Sequence, residues 1–385
     1  MTRNQASPSK TADTQRDRVT EWIRPEIRAL SAYHVPEVGD LIKLDAMENP
    51  YTWPPSLVDD WLETLRHVSL NRYPDPHAPR LKAALRERLG VPAGMDILLG
   101  NGSDELIQMI DMAVNGPGRV ALSPEPSFSM YRMIAAFTGL NFVGVPLNAG
   151  DFSLNMAAMR EAIARHQPAV VFLSYPNNPT GNLFDEHAVC ELIEACPGLV
   201  VVDEAYSAFA GRSLMDRLGE YDNLLVLRTL SKMGLAGLRL GILAGSPAWL
   251  NELDKIRLPY NINVLTQASA EFALRHYDVL EAQAVQLRVD REQLLARMRA
   301  LPGITVYPSQ ANFILFRVPA GQTQAIFAAI KANGVLIKSM HGASPLLNDC
   351  LRVTVGTPEE NAVFLAALDR ALTVVLQNIL LEKNP

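Results

Sequence analysis

Between Asp104 and Gly245 short apolar runs alternate with helical patterns, and this alternation limits the possible folds more than any other feature of the chain. "RVALS", "FVGVPL", "AVVFLSY", "LVVVDEAY", "NLLVLRTLS" and "LRLGILAG" are rich in Val, Leu and Ile. They are separated by "DELIQMIDMAV", "NMAAMREAIARH" and "DEHAVCELIEA", whose apolar residues recur at helical spacing. Strands that are apolar on both faces need helices on both sides, so the pattern predicts an α/β domain with a mainly parallel sheet.

A long helical region follows, roughly 263–300, and "LPGITVYPSQ" then breaks the chain with turn residues. After it come "NFILFRV", a helix, "GVLIKS", "CLRVTVG" and a final helix, the pattern of a smaller α+β lobe. The expected division is a large domain over 47–300 and a small one over 301–385. The segment 21–46 is too short to fold alone and is expected to pack on the small domain, and the polar stretch 1–20 is expected to be disordered.

Of the 385 residues 48% are hydrophobic and 20% charged, enough for a substantial core. A net charge of -6 argues against nucleic acid as a partner. Cys190, Cys196 and Cys350 have no CxxC spacing and no nearby His pattern, so they read as reduced thiols in a cytoplasmic protein, with no metal site. The first residues lack the apolar stretch of a signal peptide, and no window approaches the ~20 apolar residues of a membrane span.

Lys232 poses the chemical question. It lies between the hydroxyls of Thr229 and Ser231 and a Gly-rich apolar run ending at Arg239, where an unpaired ammonium would be expensive to bury. Parallel sheets carry their sites at the C-terminal ends of their strands. Asp203 ends "LVVVD", Asn178 follows "VVFLSY", and Gly102, Ser103 and Asp104 follow "ILLG" and open a helix.

Singly, each has an ordinary reading: Asp203 as a turn or cap residue, Asn178 as turn chemistry, Tyr206 and Phe128 as core aromatics. Together they meet the needs of pyridoxal 5'-phosphate. Lys232 would form a Schiff base with its aldehyde. Asp203 would face the pyridine nitrogen. Tyr206 and Asn178 would reach the phenolate oxygen, and Phe128 would stack on the ring. The helix start at Gly102, Ser103 and Asp104, with Thr229, Ser231 and Arg239, would cradle the phosphate.

"YPNNPTG", "VVDEAY" and "TLSKMGLAGLRLG", in that order, resemble the fold type I pyridoxal-phosphate-dependent aminotransferases. "KLDAMENPY", "NRYPDP", "LLGNGSDELI", "IRLPYNINVLTQAS", "PSQANFILFR" and "CLRVTVGTPEEN" are similar to the histidinol-phosphate branch of that family.

This resemblance implies a ping-pong transaminase of histidine biosynthesis. Glutamate would donate the amino group, leaving 2-oxoglutarate, and imidazole acetol phosphate would accept it to give histidinol phosphate. Lys232 would move the proton, with Asp203 and Tyr206 as its catalytic companions. The resemblance also implies that Arg352 holds the anionic end of either substrate, with Tyr33, Asn178 and Lys338 beside it. Tyr73 would reach the cofactor phosphate from the partner subunit of a homodimer.

A broader aromatic aminotransferase and a threonine-phosphate-type decarboxylase share most of these features. Lys338 stands where arginine is expected, Phe128 where tyrosine is frequent, and the run from Lys232 to Arg239 is one residue short of the family form.

Overall fold

The computed structural model describes residues 18–32 and 37–383. Tyr33 and most of the polar stretch 1–20 lie outside the described residues. In chain order the strands are β1 (Ile42–Lys43), β2 (Asp96–Asn101), β3 (Val120–Glu125), β4 (Asn141–Pro146), β5 (Val170–Ser174), β6 (Leu199–Asp203), β7 (Leu224–Thr229) and β8 (Leu240–Gly245). Then follow β9 (Thr305–Val306), β10 (Phe313–Arg317), β11 (Val335–Leu336), β12 (Lys338–Ser339) and β13 (Cys350–Thr354).

Seven strands form the main sheet in the order β2-β8-β7-β6-β5-β3-β4. Only β8 runs against the others, pairing antiparallel with both β2 and β7. Every residue of β5 and β6 is buried, and their side chains divide between two cores. Val171, Leu173, Val200 and Val202 enter one core, while Val170, Phe172, Leu199 and Val201 enter the other. That period-two division is why these strands read as unbroken apolar runs.

Several of the intervening helices begin where a side chain supplies a cap. Asn155, Asp185 and Asn263 each accept a backbone N–H from the first turn that follows them. The helices Ser103–Val114 and Ser129–Thr138 have no side-chain cap at their starts, Gly102 and Phe128.

The predicted helical region over 263–300 is two helices, Val264–Arg275 and Tyr277–Arg299. His276, at φ -113° and ψ 36°, leaves helical geometry and parts them. "GVLIKS" also divides, because its halves pair with different partners: β11 runs parallel to β1, and β12 runs antiparallel to β13. A third core gathers Phe313 and Phe316 of β10 with Phe364 of the closing helix Pro358–Lys383. Among the described residues no helix is long and apolar enough to cross a membrane.

Because β3, β5, β6 and β7 are parallel, Glu125, Ser174, Asp203 and Thr229 all stand at one edge of the main sheet. The chemistry predicted from the sequence gathers along that edge.

Candidate active site

Lys232 sits in a single 3-10 turn, Ser231–Met233, just beyond β7. Its ammonium donates to the Ala46 carbonyl at 3.2 Å and stands 5.8 Å from the centre of the Tyr206 ring. Among the described residues no carboxylate forms a salt bridge with it. Burial, with the nearby Arg352 guanidinium as a secondary cause, lowers its pKa to about 8. A lysine so placed gives up its proton more readily than an exposed one, as an amine nucleophile must.

Asp203 is buried at the end of β6. One carboxylate oxygen accepts from the Ala205 N–H at 3.1 Å and the other from the Tyr131 hydroxyl at 2.7 Å. Burial raises its pKa to about 6, although both hydrogen bonds oppose the rise. A cation brought against this carboxyl would be met by a charge that lacks one. The hydroxyl of Tyr206 accepts from the Asn178 amide at 3.1 Å, and burial holds that phenol well above its ordinary value. The amide oxygen of Asn178 accepts from Arg352 at 2.6 Å. A single hydrogen-bonded chain thus runs from β13 through Asn178 to Tyr206.

Opposite lies the start of the helix Ser103–Val114. Gly102 takes φ +85°, and a Cβ there would come within 2.5 Å of Arg239 Nη2. A Cβ on Gly241 would meet the Gly102 carbonyl carbon at 2.5 Å. Bare backbone is therefore what lets the helix start approach both β8 and the guanidinium. Thr229 and Ser231 hydroxyls lie 2.9 Å apart, and Arg239 Nη1 is 3.5 Å from Ser231 Oγ.

The short Lys232–Arg239 run is accommodated by Gly234 at φ +94° and by Arg239 itself at φ +50°. Asp104 lies 4.0 Å from Arg239, and its Oδ1 has no hydrogen-bond partner among the described residues. Burial pushes its carboxyl up. Uncapped N–H groups, two hydroxyls and a guanidinium around one hollow are the donor set a phosphate needs, so these residues fit the predicted cofactor.

These groups surround a cavity of about 110 Å³ that includes Phe128, Asn178, Asp203, Tyr206 and Lys232. Met47, Phe128 and Asn178 are shared with an adjoining cavity of about 450 Å³, which holds Lys338 and Arg352. Arg352 is buried, donates to the Asp45 carbonyl at 3.0 Å and lies 5.2 Å over the Phe313 ring. Lys338 is its direct partner across β12 and β13. Phe128 meets Tyr131 edge-on at 5.5 Å.

Two sequence-predicted residues stand apart. Tyr73 is 80% exposed, lines neither cavity, and stacks on Tyr260 at 4.4 Å. Tyr33 lies outside the described residues. Sequence reasoning missed Tyr131, which touches both Asp203 and Phe128. The available signal was its helical spacing of three from Phe128. It also missed Ala46 and Met47, which lie in "DAMEN" and carry no distinctive side-chain chemistry.

A lysine of lowered pKa, a buried carboxyl and an anion cradle at one edge of a mainly parallel α/β sheet mark a class of protein, the pyridoxal-phosphate-dependent enzymes. The aminotransferase class I and II family matches residues 39–368, and the chain belongs to it. It is 62% identical to histidinol-phosphate aminotransferase 2 of Nitrosococcus oceani over 92% of this chain and 98% of that one. It is 55% identical to histidinol-phosphate aminotransferase of Chromobacterium violaceum over 91% and 98%. Among solved structures, histidinol-phosphate aminotransferase from Sinorhizobium meliloti in complex with pyridoxal-5'-phosphate is 26% identical. It has a TM-score of 0.80 and covers 91% of this chain and 97% of that one.

Proposed function

We propose that the chain is a pyridoxal-phosphate-dependent aminotransferase that interconverts histidinol phosphate and 2-oxoglutarate with imidazole acetol phosphate and glutamate, in the cytoplasm, as a step of histidine biosynthesis. The observation that carries this reading is the junction of the two cavities at Asn178. On one side stand Lys232 and Asp203, and on the other Arg352. The names of the relatives at 62% and 55% identity support the substrate.

When bound, the cofactor supplies an aldehyde that takes up an amine and a cationic ring that draws electrons from the adjoining carbon. Lys232 would hold the aldehyde, Asp203 the ring nitrogen, and Asn178 and Tyr206 the ring oxygen. The helix start at Gly102, Ser103 and Asp104, with Thr229, Ser231 and Arg239, would hold the phosphate.

Asp203, buried at the sheet edge, would gain a partner for its charge there and would favour the protonated ring. Lys232, whose pKa burial lowers to about 8 in the cofactor-free chain, would be the group to take a proton from the substrate carbon and return it one atom away. Phe128 and Tyr206, which line the same cavity, would flank that path.

Arg352 presents a planar fork to either a carboxylate or a phosphate ester, so one group serves both substrates. Lys338 adds a point charge for the phosphate, and Tyr33 belongs to the same end in this reading. Exposed Tyr73 would serve the cofactor phosphate of the partner subunit in a homodimer; sedimentation that finds only monomer would remove that part of the proposal.

The deciding experiment compares steady-state rates with histidinol phosphate and with phenylalanine, each against 2-oxoglutarate. A higher kcat/KM for histidinol phosphate is expected. A clear preference for phenylalanine would replace this reading with the broader aromatic one.

A further inference from the structure

A transaminase with these two substrates faces a recognition problem at the end remote from Arg352. When the α-carboxylate of glutamate or the phosphate ester of histidinol phosphate occupies Arg352, the other end is a flexible carboxylate in one case and an imidazole in the other. The first asks for a donor. The second carries an N–H and asks for an acceptor.

The larger cavity contains a pair of groups not yet given a role. Glu125 ends β3, and Arg132 lies in the first turn of the helix Ser129–Thr138. They meet as a two-pronged ion pair, with Arg132 Nε 3.0 Å from Oε1 and Nη2 2.7 Å from Oε2. Both line the cavity that holds Lys338 and Arg352.

The pair is anchored on both sides. Arg132 lies 4.5 Å over the Phe142 ring. Glu125 crosses Gly144, where a Cβ would come within 2.1 Å of Oε2. The ion pair uses only two of the five N–H groups of Arg132 and one acceptor site on each oxygen of Glu125. Both members are partly exposed, so neither is locked away from an incoming ligand.

We propose that the Glu125–Arg132 pair reads the side-chain end of both substrates, Arg132 donating to the side-chain carboxylate of glutamate and Glu125 accepting the N–H of the imidazole ring. The inference rests on the substrate reading above and adds two specificity residues to it. The pair need not separate to do either task, because each partner keeps unused capacity. Glu125 also prevents Arg132, Lys338 and Arg352 from becoming a trap for any anion, since it neutralises one of the three charges.

The test uses the loaded enzyme and follows each half-reaction separately through the cofactor absorbance, against glutamate alone and against histidinol phosphate alone. Arg132→Gln is expected to raise the half-saturating glutamate concentration by on the order of tenfold or more. It should leave histidinol phosphate within about threefold. Glu125→Gln should do the reverse, with glutamate unchanged or tighter.

Arg132→Lys, which keeps the charge and loses the fork, should fall between wild type and Arg132→Gln for glutamate only. It carries the test alone if Arg132→Gln does not fold. Equal losses on both substrates, or no change on either, would overturn the proposal. Wild-type protein that reacts with glutamate and not with histidinol phosphate would instead overturn the substrate reading and the imidazole half of this one. The glutamate half is then judged on Arg132→Gln by itself.

Discussion

Asp203 shows how one side chain can cost the empty protein and serve the loaded one. Its carboxyl titrates at about 6 in the fold because burial disfavours the charge. Unfolded, it would titrate near 3.9. Between about pH 4 and 6 the folded chain therefore binds more protons than the unfolded one. This group's contribution to stability falls as pH rises through that window, and the penalty is complete above it. Asp203→Asn removes the charge and leaves an oxygen and an amide for Tyr131 and Ala205. Cofactor-free Asp203→Asn is expected to melt at or above the wild-type temperature at pH 8. The loaded variant should lose several orders of magnitude in rate, on the order of 4–6 kcal/mol. A large drop in the melting temperature of the cofactor-free variant would mean that Asp203 is structural first. Asp203 and Lys232 were legible in the sequence because chemistry-bearing groups stand out at the ends of apolar runs. Tyr131 was not, because a hydroxyl aimed at a carboxylate is written like any core tyrosine.

The helix start at Gly102 is where element geometry shapes the proposed phosphate cradle. Capping side chains begin three of the neighbouring helices, whereas this one leaves its first N–H groups uncapped by any side chain. The approach depends on Gly241 in β8, which has backbone rather than a flexible side chain against it. Gly241→Ala is expected to push β8 from the Gly102 turn, costing about 1–3 kcal/mol of stability. It should weaken cofactor retention on dialysis more than a surface Gly→Ala such as Gly237→Ala, where nothing lies within 4 Å. Equal retention in the two variants would show that the close approach does not shape the cradle. The strands of the main sheet were readable from their doubly apolar runs. The break at His276 and the split of "GVLIKS" were not, because both follow from which neighbours the segments meet. The Glu125–Arg132 pair was hidden for the same reason, since its members are seven positions apart across a turn.

At the scale of the whole molecule, the main sheet supplies Lys232 and Asp203, while β12 and β13 supply Lys338 and Arg352. Asn178 joins the two sides by accepting from Arg352 and donating to Tyr206. Arg352 could be placed by resemblance alone, since nothing in the spacing of "CLRVTVG" brings it beside a residue 174 positions away. Tyr73, exposed and stacked on Tyr260, has a part in the proposed function only through a second copy. In the proposed function this arrangement serves one covalent attachment, the amine of Lys232 to the aldehyde of the cofactor. Reduction of the loaded protein with borohydride, digestion and mass spectrometry of the peptides locates that bond directly. The account expects the reduced cofactor on the peptide that contains Lys232, and its absence from Lys232→Ala. The label on any other lysine, or on none, would contradict it.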